Sequence, residues 1–464
     1  MLLSIDRCKN IPLIRQVYNE ISGKILDGSL PAGEKLPSSR ELAKAIHVSR
    51  NVVLEAYDLL MVEGFVFSKK GSVTYVAEGA FLKREYWEQP VSSPIHSVHK
   101  KEMIHFRSGI PDLRHFPRKI WARLSQAVWT EISDHTLGYG SPEGAEELRR
   151  ELVSYLLKTR GVKCSKEQIV ITSGATQALT IVGRMLLRED DPVVLEDPIT
   201  DDIQQIFKNA GGNLYPVSVD EEGLDTSLLP ENVIPAFTFV TPSHQFPLGG
   251  TLSIQRRIEL LQFARKTNSY VVEDDYDSEF RYDGPPLSTL QRLDPHRVIY
   301  IGSFSKILSP ALRIGYIILP SNLVEKCRSV KWFSDLHTPA PEQLVLARFL
   351  AAGHMDRYVS KMKKVYRQRR DLIINKLKEA FPADIQISGH STGLHFIADF
   401  PFATFSENDL LQMEEDGVKL YSVEQHAITR GIHKGKLVIG YGHLNNEEIQ
   451  QGIRCLKNAI DRLM

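Results

Sequence analysis

The stretch LPSSRELAKAIHVSRNVVLEAYDLL, residues 36–60, narrows the fold of this chain more than any other. Ser38 precedes Glu41 by three positions, so hydroxyl and carboxylate can each accept a backbone N–H that a helix start leaves unpaired. That predicts a short helix carrying Leu42, Ala45 and Ile46 inward. Only the His47-Val48 turn follows before Ser49, which can cap a longer helix whose Val52, Val53, Ala56, Leu59 and Leu60 share one face. Upstream, Ile14, Val17, Ile21 and Ile25 recur at helical spacing between Ile11 and Leu26, and Asp27-Gly28 ends the run. Downstream, Phe65-Val66-Phe67 and Val73 to Val76 flank the polar tip Ser68-Lys69-Lys70-Gly71-Ser72, which predicts a hairpin with Gly71 at its turn. Three helices and a hairpin make a winged helix-turn-helix, assigned to residues 1–80.

In such a module the second helix of the pair meets the major groove by its N-terminal turn, where side chains reach base edges and free amides meet phosphate. Arg50 and Asn51 occupy that turn. Arg40 at the start of the preceding helix, with Lys69 and Lys70 on the wing, would grip phosphates of double-stranded DNA and set the register. The formal net charge of the 464-residue chain is zero, so any footprint on nucleic acid must be local.

Residues 81–102, FLKREYWEQPVSSPIHSVHKKE, lose all sustained period and are expected to form a linker. From residue 103 to 464, short apolar runs (Ile169–Thr172, Pro192–Leu195, Phe237–Val240, Tyr270–Val272, Val298–Ile301) alternate with helical segments. That pattern predicts a parallel α/β sheet, with a smaller α+β subdomain from about residue 331. A composition 42% apolar and 25% charged suits two or three domains with sizeable cores. Cys8, Cys164, Cys327 and Cys455 lack CxxC spacing, which argues against a zinc site or a disulfide framework and for a reducing compartment. No run approaches membrane-spanning length. A cytoplasmic, metal-free protein is expected.

Pyridoxal phosphate needs a lysine amine, an acid against its pyridine nitrogen and a cradle for its phosphate. Lys306 follows the strand RVIYIGSFSK, at the end where ligands of open α/β sheets gather. Asp274 closes the strand YVVEDD, with Asp275 as the adjacent alternative. Gly174-Ala175-Thr176 opens a helix after QIVITSG and offers amides and a positive dipole end to phosphate. Ser303, Ser305 and Arg313 lie around the lysine and would complete the cradle. Taken singly, the lysine reads as a surface residue and EDDYD as a solvated loop or a divalent-metal site; the ordered set points to the cofactor.

The segment Leu13–Val76, with GSLPAGEKLPSSRELAKAIHVSRNVV followed by AYDLLMVEGF, resembles the winged helix of the GntR family. The family's DNA contacts fall on Arg40, Arg50, Asn51 and Gly71, with Ser39 and Ser49 close by. Roughly residues 103–460 resemble fold-type I aminotransferases. TPSHQFPLGGTLS, VEDDYDSEFRY and RVIYIGSFSKILSPALRIGY are similar to the aminotransferase-like half of the MocR branch of GntR regulators. The resemblance implies an internal aldimine on Lys306, Asp274 at the pyridine nitrogen and Tyr276 on the ring hydroxyl. It further implies Ser303, Ser305, Arg313 and the Gly174 turn on the phosphate, and Tyr139 reaching the phosphate of the neighbouring subunit in a head-to-tail homodimer.

Three positions depart from that pattern. Thr200 in EDPIT replaces an aromatic residue that stacks on the cofactor ring, Phe246 replaces an asparagine, and Val438 stands where an arginine normally holds the substrate carboxylate. Arg430 is the nearest alternative cation for an effector. The implied function is a transcriptional regulator whose aminotransferase-like domain senses a small amine, an amino acid or the cofactor itself. A working aminotransferase and a cofactor-free dimerisation scaffold are the alternatives.

Overall fold

Ser38 caps its helix as the spacing to Glu41 predicts: its hydroxyl accepts the Glu41 N–H at 3.2 Å and the Glu41 carboxylate accepts the Ser38 N–H at 2.9 Å. The computed structural model describes residues 3–69, 73–81, 103–285, 287–382 and 385–463. The chain forms two compact units, Met1–Val98 and His99–Met464. In the first, α1 (Leu13–Leu26), α2 (Ser39–Ala45) and α3 (Arg50–Val62) are followed by the antiparallel strands β1 (Val66–Lys69) and β2 (Val73–Val76). His47 turns the chain between α2 and α3 with a left-handed φ of 54°, and the Ser49 hydroxyl accepts the Val52 N–H at 3.3 Å. Val17, Ile21, Ile25, Leu42, Val53, Ala56, Leu60 and Val66 form the core. Tyr57, absent from the expected inward face of α3, is buried while Leu59 is only half-buried; the Tyr57 hydroxyl donates to the Pro37 carbonyl at 2.9 Å, which satisfies its polar end. Lys70, Gly71 and residues 82–102 of the expected linker lie outside the described residues.

The second unit is built on an eight-stranded sheet. Its strands are β3 (Ile169–Thr172), β4 (Asp191–Asp197), β5 (Gly212–Asp220), β6 (Gly223–Leu224), β7 (Phe237–Val240), β8 (Tyr270–Asp275), β9 (Val298–Ser303) and β10 (Gly315–Ile318), in the order β3-β10-β9-β8-β7-β4-β5-β6. The expectation of a parallel sheet needs correction: β10 runs antiparallel to both β9 and β3, and β6 antiparallel to β5. Between β9 and β10 there is only a 3-10 turn, Pro310–Leu312, and no crossover helix. A parallel return needs a longer crossover, so the chain doubles back. The central strands are buried on both faces, which is why they read as unbroken apolar runs.

A helix α4 (Ala175–Leu186) follows β3 and packs on β9 and β10. The smaller sheet, β11 (Gln386–Ser388), β12 (His395–Asp399), β13 (Tyr421–Ser422) and β14 (Lys436–Gly440), has the order β11-β12-β14-β13. Beside it the long helix α5 (His354–Ala380) packs on α6 (Asn446–Leu463). Among the described residues no helix is long and apolar enough to cross a membrane.

Candidate functional site

Alternation along β8 sends its two terminal carboxylates to opposite faces of the sheet. Asp275 is anchored through Oδ2, which accepts from the Tyr300 hydroxyl at 2.6 Å and pairs with the Arg160 guanidinium at 2.7 Å, all three residues buried. Asp274 is buried too, and its Oδ1 has no hydrogen-bond partner. Burial pushes the Asp274 carboxyl up to about 7, Asp275 and Asp277 push the same way, and the Lys306 ammonium pulls it down. Oδ1 of Asp275 is unpaired as well, but the guanidinium already neutralises that group. Asp274 is therefore the acid left for a ligand. Asp277 turns elsewhere, to His244 Nδ1 at 3.1 Å. The acids of EDDYD diverge rather than converge on one cation.

Lys306 lies three residues beyond β9, half-buried. Desolvation pushes its ammonium below the usual lysine range; Asp277, Asp274 and Asp202 oppose that, and Arg107 adds to it. Gly109 passes so near that a Cβ there would stand 2.7 Å from Lys306 Nζ. A lysine drawn toward neutrality at a strand end is a candidate nucleophile.

Gly174 begins α4 with φ 94° and no capping side chain, leaving the first-turn amides, those of Ala175 and Thr176 included, free to point at an anion. A Cβ on Gly174 would come within 2.9 Å of the Arg313 guanidinium. Arg313 adopts a left-handed φ of 50° and donates to the Ser173 carbonyl at 2.5 Å. Ser303 ends β9 opposite Gly315, and its hydroxyl accepts the Ser305 N–H at 3.1 Å. The structure thus gathers Gly174, Ala175, Thr176, Ser303, Ser305 and Arg313 at the same sheet end as Lys306.

The half-buried Tyr276 donates its hydroxyl to the His244 carbonyl at 2.8 Å. His244 in turn stacks near His395, which burial pushes down to about 3. The three departures from the aminotransferase pattern each have a local setting. Val438 is buried with Ile397 and Val423, and Phe246 packs against this apolar cluster with Leu248 and Tyr421. Thr200 starts the helix Asp201–Asn209 without capping it through its side chain. Arg430 is exposed, donates to the Glu424 carbonyl and lines a groove of 350 Å³ with Ser406 and Lys434; it is not brought to Lys306. Tyr139 is 79% exposed, which leaves it free to reach outward. Arg107 and Gly109 went unnoticed in the sequence, since FRSG carries no spacing that points to Lys306.

In the first unit Arg40, Arg50 and Asn51 are exposed. Arg50 Nε donates to the Ser39 hydroxyl at 3.3 Å, which ties α3 to α2 at the turn. Ser49 is engaged as the α3 cap. Lys69 lies in β1, paired with Val73, while its side chain, like Lys70 and Gly71, lies outside the described residues.

Comparison with known proteins sets these two sites in context. Residues 13–76 match the family of bacterial regulatory proteins called gntR, and residues 101–451 match aminotransferase class I and II. The chain is 33% identical over 463 residues to the HTH-type transcriptional regulator YdeL of Bacillus subtilis, covering 98% of each. It is 30% identical over 475 residues to the probable rhizopine catabolism regulatory protein MocR of Rhizobium meliloti, covering 99% of this chain and 96% of that one. Among solved structures, LysN, an alpha-aminoadipate aminotransferase from Thermus thermophilus complexed with N-(5'-phosphopyridoxyl)-L-leucine, superposes with a TM-score of 0.72 at 28% identity. That match covers 78% of this chain and 93% of the other.

Proposed function

Since the chain belongs to the MocR branch of the GntR family, helix-turn-helix transcriptional regulators with an aminotransferase class I and II domain, we propose that its large unit holds pyridoxal phosphate through Lys306. In this reading that unit senses a small amine, an amino acid or the cofactor itself, and residues 1–80 bind operator DNA. Residues 81–102 link the two, and residues 103–464 form the effector and dimerisation domain. The observation that carries the cofactor reading is the buried, unpartnered Asp274 Oδ1 within electrostatic reach of a desolvated Lys306.

These residues fit the group. When bound, pyridoxal phosphate supplies an aldehyde for amines and a ring that draws electrons when its nitrogen is protonated. Asp274 would hold the proton at that nitrogen, satisfying its own orphan oxygen. Lys306, whose charged form burial disfavours, would take the aldehyde. The amides of the Gly174 turn, Ser303, Ser305 and Arg313 would receive the phosphate, and Tyr276 would turn its hydroxyl to the ring. Tyr139 of a second copy would complete the phosphate site in a head-to-tail dimer. Pairing also gives two winged helices the effective concentration that one nearly neutral module lacks.

An effector that displaces Lys306 shifts DNA binding only as far as it prefers one conformation of the dimer. The apolar packing around Val438 supports sensing over turnover, because no arginine stands there to hold a substrate carboxylate, and Phe246 offers the cofactor's ring hydroxyl no amide. A protein that binds operator DNA works in the cytoplasm.

Purified protein given pyridoxal phosphate is expected to absorb visible light, and borohydride should fix the cofactor covalently. Lys306→Ala should lose that adduct. A protein that stays colourless would favour the cofactor-free scaffold, and sustained keto-acid production from an amino donor would favour the enzyme.

A further inference from the structure

Phe106 to Gly109 bridges the small sheet and the lysine site. The Phe106 carbonyl accepts the Gly440 N–H at 2.9 Å, and a Cβ on Gly440 would collide with the Arg107 carbonyl oxygen. Two residues on, Gly109 rests against Lys306 Nζ. The backbone of Arg107 is therefore pinned beside β14, two positions along from Val438, and its side chain starts close to the lysine's surroundings. Arg107 is exposed, and among the described residues it has no hydrogen bond or ion pair. Other arginines of this unit are engaged: Arg160 with Asp275, Arg369 with Asp112, Arg370 with Asp283. The charge of Arg107 is felt at the Lys306 ammonium.

An unpartnered arginine whose backbone is pinned two residues from the contact with Lys306 offers a fork for a planar anion. Val438, the position from which a family enzyme would supply such a group, has turned into the apolar cluster. We propose that Arg107 takes over that role from the neighbouring segment, so that the effector is an amine which also carries a carboxylate or sulfonate. The proposal rests on the cofactor reading above. Its rival is a diamine, for which the exposed Asp202 would be the partner.

Full-length protein loaded with pyridoxal phosphate is titrated with L-alanine, β-alanine, taurine, ethylamine and ethylenediamine, following the visible band and the thermal midpoint. The best anionic amine should bind at least about tenfold more tightly than ethylamine or ethylenediamine, as a charge-assisted hydrogen-bonded pair allows. Arg107→Gln should abolish that preference while keeping the cofactor band, and Arg107→Lys should restore part of it. Equal affinities, tighter binding of the diamine, no response to any probe, or a preference that survives Arg107→Gln would each overturn the assignment. Failure to take up pyridoxal phosphate would instead remove the cofactor reading, which the band reports before any amine is added.

Discussion

Replacing Asp274 by asparagine should stabilise the cofactor-free protein and weaken its hold on the cofactor. The buried carboxyl has no partner for Oδ1, so the fold prefers it protonated and its pKa rises from 3.8 to about 7. A raised acid pKa means that the folded chain keeps a proton the unfolded chain releases. The cost is absent at low pH, grows as pH climbs from 3.8 toward 7, and is complete above that. At roughly 1.4 kcal/mol per pH unit it reaches about 4 kcal/mol as an upper bound. Asparagine carries no charge to desolvate, so Asp274→Asn should gain nothing at about pH 4 and most of that sum at about pH 8.

Urea unfolding of the cofactor-free protein, followed by tryptophan fluorescence, measures this for the large unit, because Trp121, Trp129 and Trp332 belong to it. In parallel, retention of pyridoxal phosphate through dialysis should fall by about tenfold or more, from the loss of a charge-assisted contact. If the variant were less stable than wild type at about pH 8, the carboxylate would have to be satisfied in the fold, and the assignment to the ring nitrogen would lose its basis.

Arg160→Met should strand the buried Asp275 carboxylate and cost about 3–5 kcal/mol in the same urea assay; a loss below about 1 kcal/mol would mean that the pair is solvated. In gel-shift titrations on an operator, Arg50→Ala should cost about 1–3 kcal/mol and loosen sequence preference, whereas Lys69→Ala should lower affinity evenly and reduce the salt slope by about one. Unchanged binding in both would put the DNA surface elsewhere.

How much could be read from the sequence depended on whether the signal was local. Capping at Ser38 and Ser49 and the central strands of the sheet were legible because both follow from short-range spacing. β5 was missed: GNLYPVSVD alternates in burial and contains a proline, so it lacks the unbroken apolar run of its neighbours. The reversal of β10 was missed because direction is set by the connection, not by the strand's own residues. Lys306 and the Gly174 turn stood out through their place at strand ends. The choice between Asp274 and Asp275 depended on a partner far away in sequence, Arg160, and Arg107 became visible only once Gly109 was seen against Lys306.

Phe246 and Val438 belong to the same apolar cluster, and that bears on how such a chain can change. Restoring an arginine at 438 alone would drive a charge into the cluster, and restoring an asparagine at 246 alone would leave a gap and an unsatisfied amide. Each residue supports the other's place in the cluster. Either polar group introduced singly therefore carries a stability cost, whereas a change at the lysine's own surroundings leaves that cluster intact.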